Sequence, residues 1–130
     1  MPDRVPARNE WGDRFGYSRA VRVGNVIEVA GTTAPGDSAY EQARGALAAI
    51  EAALQELGAS LADVIRTRMF VVDIERNADE VGRAHGEVFG DIRPAAAMYG
   101  VTGLLRQQML VEIEATAVVA DTAAGDPSAR

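Results

Sequence analysis

Between Ala43 and Leu57 the residues Ala43, Leu47, Ile50, Leu54 and Leu57 recur at alternating steps of four and three, which gathers them on one helical stripe. Ser38 followed by Glu41 has the form of a capping box and Gly58 supplies a stop, so a helix is expected over Tyr40–Leu57. That helix stands between segments of a different period. The run FGYSRAVRVGNVIEVAG, from Phe15 to Gly31, holds two β-rich stretches broken at Gly24-Asn25, residues that tolerate positive φ. It reads as a hairpin of strands Ser18–Val23 and Val26–Ala30. After the helix, Ile65, Thr67, Met69 and Val71 alternate with Arg66, Arg68, Phe70 and Val72 in a strand over Val64–Val72. Strand, helix and returning strand constrain the chain to a βαβ-type crossover that packs the helix on one sheet face.

A second helix is expected from Asn77, with Glu80 at the capping-box position, to Phe89, ended by Gly90 and carrying Val81, Ala84, Val88 and Phe89 on its apolar side. Gly82 and Gly86 weaken it by about 1 kcal/mol each relative to alanine, so close packing against a backbone is expected there. Arg93-Pro94 opens an extended stretch. Strands then follow at Ala95–Val101 and Met109–Val119, separated by a loop over Thr102–Gln108. The order gives an α+β class: a single mixed sheet with two helices on one face. The domain spans residues 15–120, behind an N-terminal extension over 1–14 and ahead of a tail, 121–130, expected to be disordered. Aromatics are only 5% of the chain, so Ala, Val, Leu and Ile must fill the core, and the bare sheet face is expected to be solvated or buried against another subunit.

Charge and composition exclude several classes. A formal charge of -6 with no concentrated basic run opposes phosphate backbones and anionic bilayers, so neither a nucleic acid nor a membrane is an expected partner. With no cysteine there is no disulfide, thiolate nucleophile or cysteine-based zinc site, and the single histidine, His85, rules out a multi-histidine metal centre within one chain. No metal site is therefore expected. The start MPDRVPARNE is polar and charged, without a secretory apolar region, so the default location is the cytoplasm.

Three segments, FGYSRAVRVGNVIEVAGTT, RPAAAMYGV and MLVEIEATAVV, occur in the order and with the intervening helices that resemble the Rid, or YjgF-like, family of reactive intermediate deaminases. The resemblance covers roughly Phe15 to Ala120, and VEIEA is its most specific part. It implies a chorismate-mutase-like fold, a homotrimer, and small-molecule sites in the clefts between subunits. It also implies hydrolysis of amino-acid-derived imines or enamines, releasing ammonia without a cofactor. In the deaminase branch an arginine after the Pro-Ala of the RPA-type segment grips the substrate carboxylate. Here that position is Ala96, and Ala97 and Met98 continue the departure with Tyr99 beside them. Loss of such a bidentate clamp from a desolvated site costs about 2–5 kcal/mol. Tyr17 matches a site tyrosine, Gly31 a glycine whose amide faces the ligand, and Glu112 the acid that positions water; Ala30 replaces a serine, and Gly82 falls where the family has an asparagine. Glu112 is thus the expected catalytic residue, with Tyr17, Gly31, Thr32, Ala96, Met98 and Arg106 on the substrate side.

Each candidate also has a bland reading. Glu112 and Glu114 share one strand face, where both could simply pair with Arg66 or Arg68 across the sheet; Glu114 fits that role better. Tyr17 is otherwise a half-buried packing residue with a wet hydroxyl. Gly31 is otherwise an ordinary strand-end glycine. His85 and Glu87, two apart on a helix, point in different directions, which favours a surface or interface histidine. Arg106 is the better stand-in for the missing arginine, reaching a neighbouring subunit's cleft from its loop, since Arg93 faces away from Ala96. Trp11 with Phe15 is either an apolar lid or an anchor for the N-terminal segment.

The favoured reading is a cofactor-free hydrolase or deaminase of a small reactive imine, enamine or related metabolite whose acid group, if any, lies away from Ala96. The alternative is a non-catalytic trimer that binds a small molecule or a partner in the same clefts. A third reading, an RNA-cleaving enzyme, is opposed by the acidic charge.

Overall fold

Gly24, at φ 59°, lets the chain reverse as expected between β2 (Ser18–Val23) and β3 (Val26–Thr32), which pair antiparallel with Val23 opposite Val26. The computed structural model describes residues 3–121; the expected tail lies outside the described residues from 122 onward. Before the hairpin come β1 (Asp3–Pro6) and a short helix α1 (Glu10–Phe15), so the expected extension adds an edge strand and one turn-and-a-half of helix. Then follow α2 (Ala39–Glu56), β4 (Val64–Val72), α3 (Ile74–Phe89), β5 (Ala95–Val101) and β6 (Val111–Val118). The sheet therefore has six strands, in the order β1-β2-β3-β6-β4-β5, with only the β4–β5 pair parallel. β3 and β4 both run antiparallel to β6, so α2 carries the chain over a strand position that β6 later fills.

α2 and α3 bury the same face. Ala43, Leu47, Ile50 and Leu54 from α2 and Val81, Ala84 and Phe89 from α3 join Ile27, Val29, Met69, Val71, Ile113 and Ala115 in one core. The opposite face carries the alternate residues: Arg68 lies across from Glu114 with 3.9 Å between their charged atoms, Thr116 donates to Glu28 at 2.6 Å, and Phe70 stacks on Tyr99 at 5.5 Å. Glu114 thus has the structural role expected of it.

The structure corrects several boundaries. Ser38 caps α2 by accepting from the Glu41 amide at 3.1 Å, but the Glu41 carboxylate takes the Asp37 amide rather than the Ser38 one, so the box is only half formed. α3 starts three residues before Asn77, after Asp73 in a left-handed conformation. Asn77 is buried and donates to the Val72 carbonyl at 2.8 Å, and Glu80 accepts from the Tyr40 amide at 3.1 Å; both side chains bind tertiary partners instead of the helix end. In β4 the register slips between Val64 and Arg66, which throws Ile65 out to solvent, away from the Thr67–Met69 face. Gly82 and Gly86 meet nothing within 4 Å of where a Cβ would stand, so among the described residues no close approach explains them. The last strand runs over Val111–Val118, shorter at both ends than expected; at its start Met109 closes a turn, its amide donating to the Arg106 carbonyl at 3.1 Å.

Candidate functional site

Two irregularities in neighbouring strands create the site. In the β1–β2 pair Val5 opposes Ala20 but Pro6 opposes Ser18, leaving Arg19 without a partner in the ladder. Beside it in β3 the register to β6 jumps between Val29 and Thr32, so Ala30 and Gly31 form a bulge. An extra residue in a strand re-aims the side chains that follow it. Here Thr32 turns into the core, 1% exposed, and Thr33 takes its place at the cavity wall. Thr32 was expected to meet a ligand; it instead accepts from Arg19 Nη1 at 3.2 Å and donates to the Ala30 carbonyl at 2.7 Å.

The cavity at these bulges has a volume of about 240 Å³. Tyr17, Arg19, Gly31 and Glu112 line it together with Trp11, Leu105 and Arg106. Glu112 projects from β6 on the face away from the helices, opposite Phe70. Its carboxylate rests on Gly31, where a Cβ would stand 2.5 Å from Oε2. Burial, and then the neighbouring Glu114 charge, push the Glu112 carboxyl above its ordinary value of 4.5, while Arg19 opposes the shift. A half-buried carboxyl held toward neutrality can take up and return a proton.

The surrounding polar groups are fixed by local structure. Asn9 caps α1 by accepting from the amides of Trp11 and Gly12 at 2.9 and 3.1 Å, and its own amide donates to the Tyr17 hydroxyl at 3.1 Å. Trp11 stacks on Phe15 at 5.3 Å, with Arg14 over the indole at 4.8 Å, and its Nε1 is out of solvent without an acceptor. Trp11 is therefore a cavity wall and an anchor at once. Arg106 lies 3.5 Å from Glu10 and lines this chain's own cleft.

The back of the cavity is tied to α2. Gly45 passes so close to the loop after β3 that a Cβ would stand 2.7 Å from the Ala34 Cβ. Gln42, 3% exposed, donates to the carbonyls of Gly36 and Gln108 at 3.1 and 3.2 Å and accepts from the Leu110 amide at 2.7 Å. One amide thereby fastens both loops that enclose the cleft.

The family profile described as Endoribonuclease L-PSP matches residues 9–119. The chain belongs to the YjgF/RutC/Rid family. It is 38% identical over 121 residues to an uncharacterised protein of Streptomyces coelicolor, covering 88% of this chain and 90% of that one. It is 34% identical over 110 residues to a RutC family protein of Pyrococcus abyssi, covering 78% and 84%. The crystal structure of a YjgF/YER057c/UK114 family member from Mycobacterium tuberculosis is similar at 50% identity and a TM-score of 0.89, covering 92% of this chain and all of that one, 100%.

In this YjgF/RutC/Rid chain the expected site residues divide into two groups. Tyr17, Gly31, Arg106 and Glu112 share the cavity. Ala96 and Met98 do not. They lie on β5 beside Thr67 and Met69, residues of the helix-covered face, two strands from β6 or about 10 Å at ordinary strand spacing. His85, on the same side, shares a 2.8 Å hydrogen bond with Thr67 and packs on Phe89 at 4.7 Å. Burial lowers its pKa from 6.5, as befits a packed neutral imidazole. Sequence reasoning missed Asn9, Arg19, Thr33 and Met109 as lining residues. Asn9 was detectable, being a capping residue set just before Glu10 and Trp11. Among the described residues no group of three or more His, Cys, Asp or Glu gathers to hold a metal, and no helix is long and apolar enough to cross a membrane.

Gly31→Ala tests the seat beneath Glu112. The glycine needs no unusual φ, so the fold should hold, but the added methyl must displace the carboxylate. Turnover of any substrate that uses Glu112 is expected to fall about a hundredfold, the scale of an ångström-sized misplacement, with little change in melting temperature. A wild-type rate in this variant would mean that the Glu112 position is not critical.

Proposed function

We propose that this chain is a cofactor-free hydrolase of small imines or enamines, working as a homotrimer in which each cleft is completed by a neighbouring subunit. The observation that carries the reading is Glu112, half-buried on Gly31 in the cavity it shares with Tyr17, with its proton affinity raised. In that setting the carboxylate accepts a proton from water as the water oxygen bonds to the imine carbon. The C=N π electrons move to nitrogen, which takes that proton from Glu112 to give the carbinolamine. In its collapse the carbinol O–H gives its proton to the Glu112 carboxylate, which passes it to the departing nitrogen, so that the C–N bond breaks, ammonia leaves and a carbonyl remains. Two groups of expected site residues too far apart to meet within one chain favour assembly, because β5 of one copy can face the Glu112 cleft of another. The exposed Tyr99, Val26 and Val118 are apolar surface that such assembly would cover.

Ala96 leaves the second half of that shared cleft without a carboxylate clamp, so the preferred substrate carries no acid group at that end. The same feature favours the alternative, a non-catalytic binding protein. The name Endoribonuclease attached to the family is not extended to this chain, whose charge of -6 opposes RNA.

Hydrolysis of 2-iminopropanoate, generated in place by an amino-acid oxidase, separates these readings. Wild type is expected to be slow and Ala96→Arg faster by about thirtyfold or more, since a desolvated guanidinium–carboxylate pair is worth about 2–5 kcal/mol. Silence from both proteins removes the hydrolase reading in favour of binding; fast wild-type turnover removes the argument from Ala96.

A further inference from the structure

Three charged side chains line the cleft: Arg19, Arg106 and Glu112. With the carboxyl ionised the lining carries one net positive charge, in a chain whose own balance is -6. The two cations are not equivalent. Arg106 is engaged with Glu10 at 3.5 Å, and its guanidinium lies 5.9 Å from the Trp11 ring centre. Arg19 has no ion pair within 4.0 Å among the described residues, and its one side-chain hydrogen bond goes to a neutral hydroxyl, Thr32 Oγ1 at 3.2 Å. A guanidinium has five N–H donors in a planar fork, so most of its donors remain available.

The backbone explains how Arg19 is held there. It falls at the skipped position of the β1–β2 pair, next to the Ala30–Gly31 bulge, and Thr32 grips one of its nitrogens. Glu112, seated on Gly31, is near enough for the Arg19 charge to act on it, yet the two make no ion pair. Arg19 also borders a second cleft against α2, with Ala52 and Glu56, but it shares the first with Glu112, and an opposite pair left apart on one cavity lining suits a ligand with an anionic end and a polar, uncharged end. This chain's share of the cleft, about 240 Å³, offers room for a small metabolite.

We infer that Arg19 is the anion anchor of this cleft, holding the carboxylate of a small monoacid whose reacting end lies against Glu112. Arg19 has this role only if the cleft is the ligand site proposed above. The acid group then enters from the Glu112 side of the cleft, which accounts for a site with no arginine at Ala96, and specificity follows from which end of the molecule carries the charge.

Binding, measured apart from turnover, tests the assignment. The probes are pyruvate and 4-oxopentanoate, each against its methyl ester, titrated into the full-length protein and followed by amide chemical shifts. Wild type is expected to bind at least one acid more tightly than its ester. Arg19→Gln should erase that preference by weakening acid binding roughly tenfold to a hundredfold, the worth of a charged hydrogen bond, while leaving ester binding alone. Arg19→Lys, which keeps the charge without the fork, should retain part of the preference and shows that loss in the glutamine variant is not loss of fold. No acid preference in wild type, an intact preference in Arg19→Gln, or a preference removed by Arg106→Gln instead would overturn the assignment. Arg19-dependent acid binding without any imine hydrolysis would remove the hydrolase reading and keep the anchor; hydrolysis with no acid preference would do the reverse.

Discussion

Glu112→Gln is expected to lower imine hydrolysis by about a hundredfold to ten-thousandfold, the range that a positioned acid–base group supplies, in whichever background, wild type or Ala96→Arg, turns over 2-iminopropanoate. Glutamine keeps the shape that rests on Gly31 and can still hold a water, but it cannot take the proton. The pH profile gives a second readout. A carboxylate acting as base makes kcat/KM rise with pH through the Glu112 pKa, which burial places above 4.5, so the rising limb should sit higher than for an ordinary carboxylate and should vanish in the variant. Stability moves the opposite way. The folded state holds this proton more tightly than the unfolded chain does, so the contribution of Glu112 is full below the unfolded value and is lost as pH rises through the raised folded one. Glu112→Gln has no such loss, so at neutral pH it should be no less stable than wild type while nearly inactive. An unchanged rate, or a rate loss matched by a fall in melting temperature, would remove Glu112 from the chemistry.

The site is built from backbone irregularities, and these also explain which parts of this molecule were legible in the sequence. Periodic segments were. The stripe through Ala43, Leu47, Ile50 and Leu54 and the alternation through Val111, Ile113 and Ala115 each report one buried face, and the structure buries those faces. Gly24-Asn25 marked the hairpin because few other residues accept its φ. What failed was register. A bulge leaves no compositional mark, yet a slip of one residue moves every later side chain to the other face. Thr32 and Thr33 are the same residue type in adjacent positions, and only the jump between Val29 and Thr32 decides that the second one reaches the cleft. Nothing in the sequence singles out Arg19, whose place depends on the skipped position of the β1–β2 pair, and the grouping of Ile65 with Thr67 and Met69 fails at the slip in β4. The start of α3 was misplaced because Asn77 and Glu80 look like helix-end residues, while their side chains are committed to Val72 and Tyr40, partners that no local pattern reveals. Ala96 stands out in the sequence only against the resembled pattern, and its place on β5, away from Glu112, required the strand order.

Gln42→Ala is expected to be the most destabilising single change near the cleft, costing about 3 kcal/mol and lowering the melting temperature by about 10 °C. The side chain is 3% exposed and serves three backbone groups, the Gly36 and Gln108 carbonyls and the Leu110 amide. Truncation leaves all three without that partner in a site water reaches poorly, and an orphaned buried donor or acceptor costs about 1–3 kcal/mol. The sum of three such penalties overstates the loss, since the loops can shift toward water. Shifting has its own consequence: the segment from Leu105 to Met109 is one wall of the cavity, so ligand binding should weaken even though Gln42 does not line it. Gln42→Met separates hydrogen bonding from packing. It nearly preserves volume and restores none of the three bonds, so it should be about as unstable as the alanine variant under denaturant. Recovery of Gln42→Met to within about 1 kcal/mol of wild type would show that Gln42 acts by filling space, and the two loops would then need another explanation for their position against α2.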